Sequence, residues 1–118
     1  MSTHHFDILH AWARLSDEEV LDRFDNQAAM VLKEIASDLD AASARQDVTN
    51  ENFVSLVRRL RTLYEERSRE LSRAVLEAGT HRDAGRVQDA KEVLVSFASR
   101  CESPFYRDIA LGYANKGE

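Results

Sequence analysis

The hydrophobic pattern of this chain is dominated by one stripe in Thr49–Gly79. Apolar residues recur there at alternating gaps of three and four, which places them on one side of a long amphipathic helix. A stripe of this kind has to be buried, so we expect the rest of the chain to cover it. Its positions are Phe53, Val57, Leu60, Tyr64, Leu71, Ala74 and Ala78, flanked by Leu56, Leu63 and Val75.

A second stripe precedes the first and predicts one helix from Ser16 to about Ala44. Ser16 and Glu19 have the spacing of a capping box at its start. The dipeptide Asp25-Asn26 could kink this helix, but the apolar spacing continues through it in phase. The stripe comprises Leu21, Phe24, Ala28, Val31, Leu32, Ile35, Leu39 and Ala42.

The short polar connection Arg45–Asn50 predicts that these two helices fold back as an antiparallel hairpin, with Thr49 capping the second of them. The charges favour the same pairing. Ser16–Asp47 carries nine acidic residues against three basic ones, whereas Asn50–Gly79 carries six basic residues against five acidic ones.

Three shorter helices complete the predicted fold. His5–Arg14 reads as a first helix, Val87–Cys101 as a fourth, and Ser103-Pro104 starts a last one, with Ser as cap and Pro at the first helical position. Either Gly79 or Gly85 ends the long helix, and Gly85 is the sharper stop. We therefore expect an all-α single domain over residues 1–118, a long antiparallel helical hairpin covered by a short N-terminal helix and a C-terminal helical hairpin, about five helices in all.

One arginine, Arg67, interrupts the stripe of the long helix. In an antiparallel hairpin it should lie level with Ala28 and Ala29, whose small side chains leave room for a guanidinium. Asp25, or an acid on the fourth helix such as Asp89, is then a candidate ion-pair partner. In the structural interpretation, Arg67 snorkels or is paired within the interface between the two helices. In the functional interpretation, its guanidinium stays available to bind an outside partner.

The C-terminal third resembles two known helical families. Gly85, Val87, Ala90 and Leu94, followed by Pro104, Tyr106, Ile109-Ala110, Tyr113 and Gly117, are similar to part of a tetratricopeptide repeat. The spacing of 32 residues from Gly85 to Gly117 is close to the family period of about 34. There is no full second repeat, so this resemblance implies helix-hairpin packing rather than a solenoid or a peptide-binding groove.

The second resemblance is to the end of the myxobacterial DUSAM domains. It rests on the turn Arg82-Asp83-Ala84-Gly85, on Ala90, and on the later series of Pro104, Tyr106, Arg107, Asp108 and Ile109. Those domains likewise have an Arg-Asp-Ala-Gly turn, an Ala-bearing helix and a short closing helix. This resemblance implies the order of the closing helices and no function.

Composition and charge narrow the classes of function. The net charge of −5 argues against a sequence-independent nucleic-acid binder, because such proteins are normally basic. No apolar run is long enough to span a membrane, and Met1–Asp7 lacks the features of a secretory signal, so we expect a cytoplasmic protein. The 13 Arg against three Lys suggest a bacterial source.

No residue constellation in the chain predicts catalysis. There is no phosphate-binding glycine loop, paired cysteine, nucleophile elbow or zinc motif. His4, His5 and His10 lack the i, i+4 spacing of helical metal ligands. Cys101 follows Phe97 by four residues and is expected to be a buried structural thiol. We therefore expect no enzyme, cofactor or metal, and a helical enzyme with an unrecognised site is the alternative of another class.

A small acidic helical protein of this kind fits a protein-binding role. The leading hypothesis is an immunity protein or inhibitor that neutralises a basic bacterial toxin or effector. An adaptor or chaperone subunit of a larger assembly is the alternative, and a homodimer is possible. The expected contact surface is the acidic start of the second helix: Asp17, Glu18, Glu19, Asp22 and Asp25.

Overall fold

The computed structural model describes residues 3–40 and 44–116, and their regular structure is entirely helical. The all-α prediction is confirmed, because no strand occurs in those two ranges and six helices are present where about five were expected. They are α1 (Thr3–Ala13), α2 (Asp17–Asp22), α3 (Asn26–Leu39), α4 (Phe53–Asp83), α5 (Val87–Arg100) and α6 (Pro104–Lys116).

The chain divides into two compact units, Met1–Tyr64 and Glu65–Glu118. The first unit contains α1, α2, α3 and the beginning of α4, and the second contains the rest of α4 with α5 and α6. The boundary therefore falls inside the longest helix. The expectation of one domain over residues 1–118 stays a prediction.

The core of the first unit forms where α1 packs against α3 and where aromatic rings meet the start of α4. The Trp12 ring packs on Phe53 with centroids 5.4 Å apart, and the Phe6 ring lies 5.2 Å from that of Tyr64. Close packing of this kind is the main favourable term in folding a small helical unit. The fully buried apolar side chains are Leu9, Val20, Leu32, Ile35, Leu39, Phe53, Val57 and Leu60.

The prediction of one helix from Ser16 to Ala44 is wrong. The chain leaves helical structure after Asp22, and Asp25 starts α3 by accepting a hydrogen bond on Oδ1 from the backbone N–H of Ala28, at 2.7 Å. Because of this break, the residue of α2 that faces the core is not the one in the predicted stripe. Val20 is fully buried, whereas the predicted stripe residue Leu21 is 38% exposed. Ala42 lies outside the described residues.

Ion pairs join the acidic and basic segments of the first unit, as the opposite charge excess predicted. Arg58 pairs with Asp17 at 2.9 Å, and Arg59 pairs with Asp40, the residue that ends α3, at 3.2 Å. Exposed pairs of this kind individually contribute little to stability.

The connection before α4 confirms the role expected for Thr49. Its hydroxyl accepts a hydrogen bond from the backbone N–H of Asn52 at 3.3 Å, and the Asn52 side chain accepts from the N–H of Thr49 at 2.8 Å. Two helix-terminal donors are thereby satisfied reciprocally. The polar connection ends at this pair, directly before α4.

In the second unit α4 packs with α5, and α5 packs with α6, as two successive helical hairpins. The Tyr106 hydroxyl and the Ser68 hydroxyl lie 2.7 Å apart, joining α6 to α4 by a hydrogen bond. Val87 and Tyr113 are both 44% exposed and lie outside this core. The buried apolar residues of this unit are Ala74, Ala78, Ala90, Leu94, Phe97, Ala98, Cys101, Tyr106, Ala110 and Ala114.

Gly85, and not Gly79, provides the stop after the long helix. Its φ of +80° is the left-handed conformation that glycine adopts without steric cost. The backbone N–H of Gly85 donates to the carbonyl of Arg82, and that of Arg86 donates to the carbonyl of His81 at 2.8 Å. These two bonds form a Schellman motif, which satisfies carbonyls that the end of α4 leaves open.

The link between α5 and α6 matches the sequence prediction closely. Pro104 is the first residue of α6, directly after the fully buried Ser103. Cys101 is buried, as expected of a structural thiol, and its S–H donates to the carbonyl of Ser103 over 3.6 Å. The thiol is therefore part of the core where the chain turns into α6.

Candidate functional site

Three of the five residues in the predicted acidic surface serve the fold of the first unit. Asp17 pairs with Arg58, and Asp25 caps α3 through the N–H of Ala28. Glu19 accepts a hydrogen bond on Oε1 from the backbone N–H of Ser16 at 3.2 Å. Carboxylates engaged in this way are less available to an outside partner.

The capping box also alters the acidity of Glu19. The hydrogen bond from the Ser16 backbone and the interaction with the Ser16 side chain stabilise the carboxylate, and Arg23 adds a smaller attraction. Together they outweigh the weak effect of desolvation and hold the pKa of Glu19 below its ordinary value of 4.5. Glu19 is therefore an ionised part of the helix terminus.

The other two predicted acids, Glu18 and Asp22, are exposed. Neither side chain makes an ion pair or hydrogen bond to any residue within 3–40 or 44–116. Leu21 follows Glu18 by three residues and Asp22 follows it by four, so all three side chains project from one side of α2. We call this trio, Glu18, Leu21 and Asp22, the α2 surface. It combines two uncommitted carboxylates with an apolar side chain that is 38% exposed.

Arg67 has a different partner from the two that the sequence suggested. Its Nη1 lies 3.1 Å from Glu70 Oε1 and 3.3 Å from Oε2, so it pairs within α4. The predicted partners have other roles: Asp25 caps α3, and Asp89 lies 3.6 Å from Arg86. Arg67 Nε is buried and has no hydrogen-bond partner among the described residues. A role for Arg67 in binding an outside partner stays a prediction.

Arg58 is the residue whose role the sequence did not reveal. It lies next to Val57 of the apolar stripe, and its guanidinium reaches the link between α1 and α2. Nη1 donates to the carbonyl of Ala13 at 2.8 Å, and Nη2 donates to that of Leu15 at 2.6 Å. No local signal distinguishes Arg58 from the adjacent Arg59, because the acceptors lie more than forty residues earlier in the chain.

A groove opens in the second unit between α4 and α5, and its volume is about 500 Å³. Its lining includes the buried Ala74, Phe97 and Cys101 and the half-buried Val93. Charged side chains make up the rest of the lining, in equal numbers of each sign. They are Arg67, Arg73, Arg100, Glu70, Glu77 and Glu102. We call this feature the α4–α5 groove.

Most of the charged groups in the α4–α5 groove have no partner of opposite charge. Arg67 and Glu70 pair with each other, and Arg100 donates only through Nε, to the carbonyl of Ser96. In the part of the chain that the structure describes, the side chains of Arg73, Glu77 and Glu102 form no ion pair or hydrogen bond. The groove therefore presents charged donors and acceptors that the described part of the fold does not use.

The histidines do not assemble a metal centre within the described part of the chain. No group of three or more His, Cys, Asp or Glu side chains there is placed to hold a metal ion. The His10 ring packs edge-on against Tyr64, with centroids 4.6 Å apart. The side chains of His4 and His5 lie outside the described ones.

None of the described helices combines the length and the hydrophobicity needed to cross a bilayer. Comparisons with protein-family models, curated proteins and solved structures find no match to this chain. The resemblances of the C-terminal segment to tetratricopeptide repeats and DUSAM domains therefore stay predictions. Any assignment of function has to rest on the geometry of the α2 surface and the α4–α5 groove.

Proposed function

We propose that this is a non-catalytic binding protein of the cytoplasm, an acidic immunity protein or inhibitor that occludes a basic bacterial toxin or effector. The observation that carries the proposal is the α2 surface. Glu18 and Asp22 flank the exposed Leu21, and neither carboxylate is used by the described part of the fold.

The arrangement has the composition of a protein contact. An apolar side chain surrounded by charge suits a small interface, because the apolar group is desolvated on binding while the charges lie at the rim. The net charge of −5 adds a long-range attraction for a basic partner. Rim carboxylates act mainly on the rate of association and on specificity.

The α2 surface is also firmly placed. The capping box of Ser16 and Glu19 fixes the start of α2, and the fully buried Val20 anchors the helix to the first unit. Glu18 and Asp22 therefore project from a short helix held at both its start and its inner face. A preorganised contact of this kind loses less conformational entropy on binding.

The experiment compares the natural chain with Glu18→Lys/Asp22→Lys. Both proteins are immobilised at low salt, bound proteins from the source lysate are identified, and the partner is purified. We expect one basic enzyme whose activity this protein inhibits. The charge reversal should lower the association rate constant at least about tenfold and weaken its dependence on ionic strength.

Glu34→Lys/Asp108→Lys is the matched control, because both residues are exposed helical acids and the change in net charge is identical. The control should retain most of the association rate. Equal losses of association rate in the two variants would mean that net charge alone determines the rate. The α2 surface would then not be the contact surface, which would contradict the proposal. A bound partner with no inhibited activity would contradict the inhibitor role.

A further inference from the structure

The exposed apolar side chains of the described helices differ in the charges that surround them. Met30, Val95 and Leu111 each have one basic and one acidic residue among the positions three and four away, so they favour neither sign of partner. Leu21 and Leu76 each have charges of a single sign at those positions. The charges are acidic at Leu21, which belongs to the α2 surface, and basic at Leu76.

The surface around Leu76 is apolar and basic. Of the large apolar side chains that the structure describes, Leu76 is the most exposed, at 72%. Arg73 precedes it by three residues and Arg69 by seven, so all three lie on one side of α4. Neither guanidinium forms an ion pair or hydrogen bond to any residue within 3–40 or 44–116. We call Arg69, Arg73 and Leu76 the α4 arginine face.

The α4 arginine face is complementary to the α2 surface in charge and in spacing. The carboxylates of Glu18 and Asp22 are four residues apart, and so are the guanidinium groups of Arg69 and Arg73. Two carboxylates on one helix can therefore meet two guanidinium groups on the other when the helices run side by side in the same direction. The two leucines are then about 6 Å apart along the helix axis, which their side chains can span.

We propose that the α2 surface of one copy of this chain docks on the α4 arginine face of a second copy. Leu21 packs beside Leu76 and on the aliphatic stems of the arginines, while the four charges pair at the rim. Both leucines are exposed, so neither surface is covered within its own chain. The contact is heterologous, because it joins two different surfaces, and each copy can bind one neighbour through each of them.

The strength of this contact follows from its size and from salt. The net charge of −5 makes two copies repel each other at long range. Charges more than about 10 Å apart are largely screened at 0.1 M salt, whereas the paired charges at the contact are much closer. Because the contact is small, we expect a dissociation constant of about 0.1–1 mM.

The inference needs no outside partner, so it holds or fails independently of the proposed inhibitor function. A second copy and a basic partner would exclude each other from the α2 surface, since both cover Leu21. A tightly bound partner therefore displaces the second copy by mass action.

The first test is sedimentation velocity of the purified full-length chain at ~0.02 to ~1 mM, a range that brackets the expected dissociation constant. At ~0.1 M salt the weight-average sedimentation coefficient should rise with concentration, and at ~0.5 M salt it should rise less, because the exposed ion pairs are screened.

Charge reversal identifies the two surfaces. Glu18→Lys/Asp22→Lys and Arg69→Glu/Arg73→Glu should each lose the rise with concentration, because each variant then carries two surfaces of the same sign. An equimolar mixture of the two variants should associate again, since each supplies the sign that the other lacks. Their changes in net charge cancel, so the mixture has the mean net charge of the natural chain.

A further pair of variants tests the apolar contact with every charge in place. Leu76→Gln should weaken association about fivefold or more, because it removes apolar surface from the contact. Met30→Gln is the matched control, since Met30 is 67% exposed on α3, and it should associate like the natural chain. Thermal unfolding of every variant establishes that it is folded before it is sedimented.

Three results would overturn the inference. The first is a natural chain that stays monomeric over the whole concentration range at ~0.1 M salt. The second is a mixture of the two charge-reversed variants that does not associate, because the surfaces would then not meet each other. The third is equal association by Leu76→Gln and Met30→Gln, which would place the apolar contact elsewhere on the protein.

Discussion

The guanidinium of Arg58 holds Asp17 across 41 positions of the chain, with Nη2 2.9 Å and Nε 3.2 Å from the same carboxylate oxygen. The same group donates to the carbonyls of Ala13 and Leu15, where α1 ends and the chain turns into α2. One side chain of α4 thus satisfies acceptors that a helix end leaves open. This contact joins the start of α2, which carries the α2 surface, to α4.

Replacement of Arg58 by methionine should destabilise the protein by about 1–3 kcal/mol, because two part-buried carbonyls lose their donors while the aliphatic packing is largely kept. Urea unfolding followed by circular dichroism measures the change. Arg69→Met is the matched control, since Arg69 is exposed on the same helix, and it should change stability by less than about 0.5 kcal/mol. Equal effects of the two substitutions would mean that the Arg58 hydrogen bonds contribute nothing beyond charge.

Gly79, within the long helix, and Gly85, just after it, should change stability in opposite directions when replaced by alanine. Gly85→Ala should lower the free energy of unfolding by about 1–2 kcal/mol, because the φ of +80° forces an L side chain into the left-handed region. Gly79→Ala should raise the free energy of unfolding by about 0.5–1 kcal/mol, because Gly79 lies within α4 and an added Cβ meets no atom within 4 Å. Thermal unfolding of both variants under one set of conditions measures the difference.

This pair of substitutions tests the position of the helix end directly. Both replace glycine by the same residue, so the change in unfolded-chain entropy is the same in each. If Gly79→Ala were the more destabilising of the two, the long helix would end near Gly79 and not at Asp83.

The capping box at the start of α2 should be visible in the titration of Glu19. Because the pKa of Glu19 is lowered in the folded state, its contribution to stability is present above its ordinary pKa and is lost as the pH falls through the lowered one. Ser16→Ala removes the hydroxyl that interacts with this carboxylate and should raise the pKa of Glu19. The measurement is a pH titration of the Glu19 side chain by NMR.

Ser37→Ala provides the control for that titration, because Ser37 is an exposed serine in α3 outside the capping box. It should leave the Glu19 titration unchanged. A pKa for Glu19 that is the same in the natural chain and in Ser16→Ala would show that the Ser16 hydroxyl has no part in holding the carboxylate.

Local chemistry was enough to predict the elements whose ends are marked by particular residues. Gly85 stops α4, Pro104 starts α6, and Ser16 with Glu19 starts α2. The break before Asp25 was missed because the apolar spacing runs through it in phase. The side chain of Asp25 caps α3 and so separates it from α2, and the break exchanges Leu21 for Val20 in the core.

The amino-acid sequence by itself determined the all-α class and the acidic character of the chain. Apolar periodicity and terminal capping act over a few residues, so they can be read locally. The tertiary structure decided which charges are used by the fold and which are left over. It engaged Asp17 with Arg58 and left Glu18 and Asp22 exposed, because the packing of distant segments, and not their local order, determines which charges meet.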